Sequence, residues 1–304
     1  TMSWHVLGAG SLGMLWAARL AMAGLEPQLI LRKQSGVSAL KATGGIRFCA
    51  EGQERLLAMN AQTADHREPI ERLVLACKAY DAEAAIGTVA HRLTETACVL
   101  LLQNGLGSQS AVAARIPHIR CILLSSTEGA FRSGEFSVTF AGQGTNWLGD
   151  PLDARPPEWL DELTQAGIPA QWTPTILLRQ WRKLAINCAI NPLCVLYDCR
   201  NGGLLRHPEE VAGLCAELGT LLDSAMGQGA SEGLHAEVQQ VIVATAQNQC
   251  SMLQDVRRQQ RSEISYLIGF ACAQALRSGL HLPRLERLHS QLRHHLQSLG
   301  LRDD

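Results

Sequence analysis

Residues 6–13 read VLGAGSLG, with Gly8, Gly10 and Gly13 spaced as G-x-G-x-x-G. The motif follows a short apolar run, Trp4 to Leu7, and opens a stretch of helical periodicity, Ser11 to Ala23. In that context each glycine has a task. The first permits a tight turn, the second lets backbone approach a pyrophosphate, and the third lets helix and strand pack closely. The helix N-terminus adds free amides and partial positive charge for phosphates. Gly8, Ala9, Gly10, Ser11, Leu12 and Gly13 are therefore the candidate dinucleotide-binding loop. The competing reading is three glycines serving only a tight turn.

Outward from this loop, strand-like and helical runs alternate. Gln28 to Arg32 reads as a second strand, and residues 45–60 as a small hairpin or excursion. Arg72 to Cys77 (RLVLAC) is a buried strand, followed by a helix from about Asp81 to Arg92. Ala97 to Gln103 and Ile119 to Ser125 are further strands. Gly134 to Gly149 alternates and is rich in glycine, which predicts a hairpin closing the sheet, and 156–166 reads as a helix. Such alternation predicts a parallel sheet. Near Pro174 the pattern changes. Segments 175–191, 208–227, 234–254 and 263–279 carry apolar spacings of three and four, and a last helix follows Pro283. The expectation is an α/β Rossmann-type, doubly wound parallel sheet over residues 1–174, followed by an all-α domain over 175–304.

Composition narrows the function classes. The 304 residues are 46% hydrophobic and 18% charged, with a formal net charge of −1. A sizeable core is within reach, and nothing argues for nucleic acid or an anionic membrane as partner. No apolar run reaches the ~18 residues of a membrane span, and no signal peptide is evident. Thr1 ahead of Met2 reads as a cloning addition. The ten cysteines, at 49, 77, 98, 121, 188, 194, 199, 215, 250 and 272, form no C-x-x-C pair and sit mostly in apolar runs. They predict a reducing, cytoplasmic compartment and no structural metal.

Ligands of open α/β sheets sit outside the carboxyl ends of the strands. Arg32 and Lys33 follow the second strand, where NAD enzymes usually place an acidic residue for the ribose hydroxyls. An arginine there can grip a 2′-phosphate with two hydrogen bonds, so NADP(H) is the expected cofactor. A solvated pair of basic residues is the alternative. Lys78 follows RLVLAC, Asn104-Gly105 follows the next strand, and the turn Ser126 to Ala130 follows the 119–125 strand. Asn104-Gly105 is also a common turn pair.

A second stretch, WRKLAINCAINP over 181–192, carries one lysine and two amides four apart in an apolar segment. On a helix Lys183, Asn187 and Asn191 share one face, drifting only ~40° per step. Trp181, Leu184 and Cys188 can then cover core, and Pro192 is expected to limit the helix. A polar stripe on a buried helix is costly unless something polar meets it. A solvated edge with capping asparagines is the plain reading, a ligand site the sharper one.

VLGAGSLG, LLQNGLG (101–107), WRKLAINCAINP and SMLQD…SEI near 251–264, in that order over nearly the whole chain, resemble the ketopantoate reductase (2-dehydropantoate 2-reductase) family. The K-L-x-x-N-x-x-x-N-P block is quite specific, the glycine loop less so. The resemblance implies NADPH-dependent reduction of 2-dehydropantoate to (R)-pantoate, on the route to pantothenate and coenzyme A. It implies a Rossmann domain followed by a helical domain. It also implies Lys183 as catalytic residue and Asn104, Asn187, Asn191, Asn201, Ser251 and Glu263 as substrate-binding residues. Asn104, Ala130 and Glu263 join the glycine loop, Arg32, Lys33 and Lys78 on the cofactor side. Two positions depart from the family's T-E-I-D…N-G block, with Ser265 in place of the aspartate and Ile268 in place of the asparagine. These put fine substrate fit in question.

The chemistry is consistent with those roles. Hydride delivery makes a ketone oxygen a developing alkoxide, and a positioned proton donor typically contributes ~10² to 10⁴ in rate. A lysine ammonium, with a reference pKa of ~10.4, can stabilise the charge and give the proton. Asn187 and Asn191 would hydrogen-bond the substrate, Ser251 its carboxylate, and Glu263 its 4-hydroxyl or the nicotinamide side. Ser251 and Glu263 are twelve apart, ~120° around a continuous helix, so a break is expected at about 257–261. The partners expected are a small 2-oxo acid and, for a helical second domain of this kind, self-association into a homo-oligomer. Two other functions stay open: a related NADP-dependent reductase of another branched 2-oxo acid, and a catalytically silent NADP(H)-binding sensor.

Overall fold

The computed structural model describes residues 3–304, so the reading of Thr1 lies outside the described residues. The first half contains β1 (Trp4–Leu7), α1 (Ser11–Met22), β2 (Gln28–Leu31), α2 (Gln34–Thr43), β3 (Ile46–Ala50), β4 (Gln53–Leu57), β5 (Asn60–Thr63) and β6 (Ile70–Leu75). It continues with α3 (Ala79–Val89), β7 (Leu93–Leu101), α4 (Ser108–Arg115), β8 (Arg120–Ser126), β9 (Gly129–Gly134), β10 (Ser137–Gly142), β11 (Asn146–Gly149), α5 (Leu160–Gln165) and β12 (Ala170–Trp172). The second half is helical: α6 (Ile176–Tyr197), α7 (Pro208–Met226), α8 (Leu234–Ala244), α9 (Ser251–Arg257), α10 (Ile268–Arg277) and α11 (Pro283–Ser298). Short 3₁₀ turns lie at Asn201–Arg206 and Ile264–Tyr266. The fold class is the expected one, a doubly wound sheet followed by an all-α region.

The chain divides into two compact units. One runs to Gln103 and resumes over Ser108–Ile176; the other takes Asn104–Gly107 and Leu177–Asp304. The first unit holds an eight-stranded sheet in the order β12-β11-β8-β7-β6-β1-β2-β5. All its pairings are parallel except β11 against β8. Strand order reverses at β1: the chain steps outward through β2 and β5, then restarts beside β1 with β6. The carboxyl ends of β1 and β6 therefore flank the position where open sheets of this type bind ligands.

A second sheet, β4-β3-β10-β9, packs over α1. This arrangement explains why α1 is apolar through Gly13 to Leu20 without an interruption other than Arg19. With Leu40, Ile46, Phe48 and Val138 in the same core, the helix has no solvated face to fill with charge. Buried Arg19 is matched by the Glu128 carboxylate, with nitrogen–oxygen distances of 2.8 and 2.6 Å, and lies over the Phe140 ring at 4.8 Å. Such a cation is tolerable inside only when paired and hydrogen-bonded.

Several elements differ from the sequence reading. The expected hairpin at 134–149 is instead β9–β10, which belongs to the second sheet, while β11 alone joins the main sheet. Helix α2 had no apolar stripe to announce it: Leu40 is its one buried residue. Pro192 does not end α6, which runs on to Tyr197. A proline inside a helix forfeits one backbone hydrogen bond and costs ~3 kcal/mol. Asn191, Pro192, Leu193, Cys194 and Val195 are all buried here, and that packing outweighs the local penalty. The 234–254 segment splits into α8 and α9, with a turn between them.

Candidate active site

The nucleotide loop is built by backbone. Gly8 has φ +115°, and a Cβ there would lie 2.9 Å from the Cys77 amide nitrogen at the end of β6. A Cβ on Gly13 would lie 2.2 Å from the Gly8 carbonyl oxygen. Both positions exclude a side chain. Gly10 is the opposite case: a Cβ would meet nothing within 4 Å. It is exposed and starts α1, whose first turn has no side-chain cap and no acidic residue. Open space in front of uncapped helix amides suits an approaching pyrophosphate, so the residues present fit a dinucleotide. Ala9, Ser11 and Leu12 complete this loop.

The candidate cations of this unit are solvated. The Arg32 side chain is 80% exposed at the end of β2, and its guanidinium is 3.9 Å from the Asp81 carboxylate on the first turn of α3. Lys33 and Lys78 are exposed and occupy the residues just before α2 and α3. Ala130 lies in β9 opposite Phe140, in the second sheet.

The helical unit gathers a different set. Lys183 is half-buried on α6. Loss of solvent on burial pushes its ammonium down to about 8, while the Glu263 charge pulls it back up. Asn187, one turn along, donates from Nδ2 to Asn104 Oδ1 at 3.4 Å. Asn104 thus belongs to this unit although the chain enters it from β7. Leu106 N donates to the Tyr266 carbonyl at 2.8 Å, and Tyr266 N to the Glu263 carbonyl at 3.0 Å. The Asn104–Gly107 segment is thereby tied to α6 on one side and to the Glu263 loop on the other. Gly105 is required there: φ is +74°, and a Cβ would lie 2.1 Å from the Tyr266 carbonyl oxygen. Tyr266 carries no motif that would have singled it out.

The break expected between Ser251 and Glu263 is present. Helix α9 ends at Arg257, Gln259 adopts φ +56°, and Glu263 is buried just before the 3₁₀ turn. Ser251 is exposed at the first position of α9. Its predecessor Cys250 donates from Sγ to the Asn191 carbonyl at 4.0 Å, which sets the start of α9 beside the last asparagine of the stripe. Asn191 itself is buried. Asn201 is held by its own contacts. Its Nδ2 donates to Thr245 at 2.9 Å and its Oδ1 accepts from Cys194 at 3.6 Å, so both ends of the amide are engaged by protein. Of the two departures, Ile268 is fully buried in the helical core and Ser265 is exposed. Among the described residues no cluster of three or more His, Cys, Asp or Glu could hold a metal ion, and no helix is long and apolar enough to cross a membrane.

The family Ketopantoate reductase PanE/ApbA matches residues 4–152, and its C-terminal family matches residues 175–296. The chain belongs to the ketopantoate reductase family. It is an oxidoreductase acting on CH–OH groups, of a family that uses a nicotinamide cofactor. The chain is similar to the 2-dehydropantoate 2-reductase of Vibrio cholerae, 30% identical with 95% of this chain and 96% of that one covered. It is likewise similar to the enzyme of that name from Salmonella typhimurium, at 31% identity with 95% and 93% covered. In three dimensions it is similar to a ketopantoate reductase of Ralstonia eutropha, with a TM-score of 0.89, 21% identity, and 98% and 100% of the two chains covered. It is also similar to D-mandelate dehydrogenase solved with NADH and anilino(oxo)acetate, with a TM-score of 0.90, 20% identity, and 99% and 100% covered. One fold thus serves enzymes with different names.

Proposed function

We propose that this reductase converts 2-dehydropantoate to (R)-pantoate with NADPH, in pantothenate and coenzyme A synthesis, with Lys183 as proton donor. The observation that carries this reading is the placement of Lys183 one turn before Asn187 on α6, with the Asn187 amide meeting Asn104; burial there pushes the Lys183 ammonium down to about 8, against the pull of the Glu263 charge. A general acid works best when its pKa lies near the operating pH. At neutral pH Lys183 is mostly charged, yet it gives up its proton far more readily than an ordinary lysine.

When bound, the reduced nicotinamide supplies the hydride that attacks the carbonyl carbon of the 2-oxo acid. Lys183 Nζ meets the carbonyl oxygen, stabilises the negative charge growing there and delivers the proton. The Asn187 and Asn104 amides, already paired with each other, orient the substrate. Asn191 and Ser251 serve its carboxylate end. Glu263 accepts from the 4-hydroxyl and keeps Lys183 charged. Asn201, spent on Thr245 and Cys194, acts by holding the turn ahead of α9. On the dinucleotide, Arg32 and Lys33 take the 2′-phosphate. The exposed Arg32–Asp81 pair at 3.9 Å is worth at most ~1 kcal/mol and yields readily to a phosphate.

Ser265 and Ile268 favour one second reading, a preference for another branched 2-oxo acid. The test is loss of NADPH absorbance with purified protein and 2-dehydropantoate, beside NADH and beside two other branched 2-oxo acids. Fast turnover confined to NADPH and 2-dehydropantoate is expected. Turnover of another acid with a larger kcat/KM would replace the substrate, and equal use of NADH would remove the 2′-phosphate role of Arg32.

A further inference from the structure

The side chain of Gln103 extends a backbone ladder at the edge of the glycine loop. Strands β6 and β7 pair in parallel as far as Leu75 opposite Leu101, and Leu102 N still donates to the Leu75 carbonyl at 3.1 Å. The β6 chain then turns into α3 at Ala79 and leaves the Cys77 carbonyl past the end of the ladder. Gln103 supplies a donor there. Its Nε2 gives one hydrogen to the Leu75 carbonyl at 2.9 Å and the other to the Cys77 carbonyl at 3.0 Å. The residue is buried, and its Oε1 has no hydrogen-bond partner among the described residues. Two carbonyls thus take both hydrogens of the amide, which serves here as a donor alone. From the other side Ala76 N donates to the Leu7 carbonyl at 2.9 Å. The 76–77 peptide is therefore held from β1 and from β7 at once.

The glycine loop rests on that peptide. A Cβ on Gly8 would lie 2.9 Å from Cys77 N and 3.1 Å from the Ala76 carbonyl carbon, and a Cβ on Gly13 would lie 3.1 Å from the Ala76 Cβ. Two glycines of the motif are thus close neighbours of the residues that the Gln103 amide holds. Lys78 follows Cys77 and leads into α3. We propose that Gln103 is a positioning residue of the dinucleotide site. It fixes the Cys77 peptide, and through it the place of Gly8 and of the first turn of α1, where the pyrophosphate is received. Gln103 acts through Cys77, and the assignment rests on the reading of residues 8–13 as the dinucleotide loop. A buried carbonyl deprived of its donor is costly, so the chain shifts to find another. Loss of Nε2 should therefore move the 76–77 peptide and loosen the support of the loop.

The experiment compares the full-length parent with Gln103→Met, which keeps the length without a donor, and with Gln103→Glu. Titration calorimetry gives Kd for NADP⁺ and NAD⁺, and kcat is read at saturating dinucleotide with whichever acid is turned over. Gln103→Met should raise Kd about tenfold, as for a buried carbonyl left without its donor. Its kcat at saturation should stay within about twofold of the parent, because dinucleotide binding and not the chemical step is disturbed. Gln103→Glu should bind as weakly as Gln103→Met at about pH 8, where a carboxylate faces the two carbonyls. At about pH 5.5 the carboxyl, its usual pKa of ~4.3 raised by burial, is protonated and donates again. Its Kd should then return toward that of the parent at the same pH. Equal Kd in parent and variants overturns the positioning role. So does a joint loss of kcat and affinity without recovery in acid, the mark of general damage to the fold. A parent that binds neither dinucleotide overturns the reading of residues 8–13, and this role with it.

Discussion

Two cations carry most of the proposed chemistry, and the protein treats them in opposite ways. Arg32 stands in solvent at the end of a strand, with a loose carboxylate nearby. Lys183 is half-buried on a helix, where loss of solvent lowers its proton affinity. The contrast matches the tasks. A residue that only grips a phosphate must keep its charge, and an arginine in water does so at no cost. A residue that must surrender a proton during each turnover needs a pKa near the working pH, and burial is the available means. Exposure thus separates a binding cation from a reacting one.

That separation can be broken, and the largest effect is expected at Lys183. Replacing it by alanine should lower kcat by ~10² to 10⁴ and leave the Kd for NADPH nearly unchanged. Undiminished turnover in steady-state assays would remove the general-acid role. Next in size, Arg32→Ala should raise the KM for NADPH by roughly 10- to 100-fold, the loss of charge-assisted hydrogen bonds. The KM for NADH should barely move, and equal changes would show that Arg32 does not read the 2′-phosphate.

A smaller effect tests the state of the lysine. The protonated form drives reduction, so kcat for reduction should fall as pH rises through about 8. Oxidation of the hydroxy acid needs the neutral amine and should rise over the same range. A flat profile from pH 7 to 9 would place the reacting proton elsewhere. The finest test is Glu263→Gln. The Glu263 charge raises Lys183, so removing it should shift the alkaline midpoint downward. A midpoint that moved upward would contradict the coupling.

The two regions also differed in how openly the sequence declared them. The glycine loop was legible because its requirements are backbone requirements. Gly8 and Gly13 stand where a Cβ collides, and only glycine meets that need. Strand ends followed for the same reason, since buried parallel strands read as continuous apolar runs. The lysine stripe was legible as a pattern, because helical periodicity stacks Lys183, Asn187 and Asn191 on one face. Its surroundings were not. Tyr266, which holds the Asn104–Gly107 segment, and Cys250, which holds α9, act through contacts between residues far apart in the chain. Pro192 misled because local preference gave way to packing around α6. The partners of the Asn201 amide, Thr245 and Cys194, were equally hidden, because they come from other elements of the chain.

The tetrapeptide Asn104–Gly107 has a consequence for modularity. The helical unit is not one continuous stretch of gene. Its core includes Leu106, and its Tyr266 carbonyl is satisfied by an amide encoded some 160 positions upstream. A single cut after Ile176 would release a helical fragment with a gap where Leu106 packs. Recombination at that junction would join a helical half to a foreign Asn104–Gly107, in register only if the donor kept the same glycine at 105. Exchange of halves between relatives is therefore constrained at two places in the gene, at 104–107 as well as at the junction after Ile176.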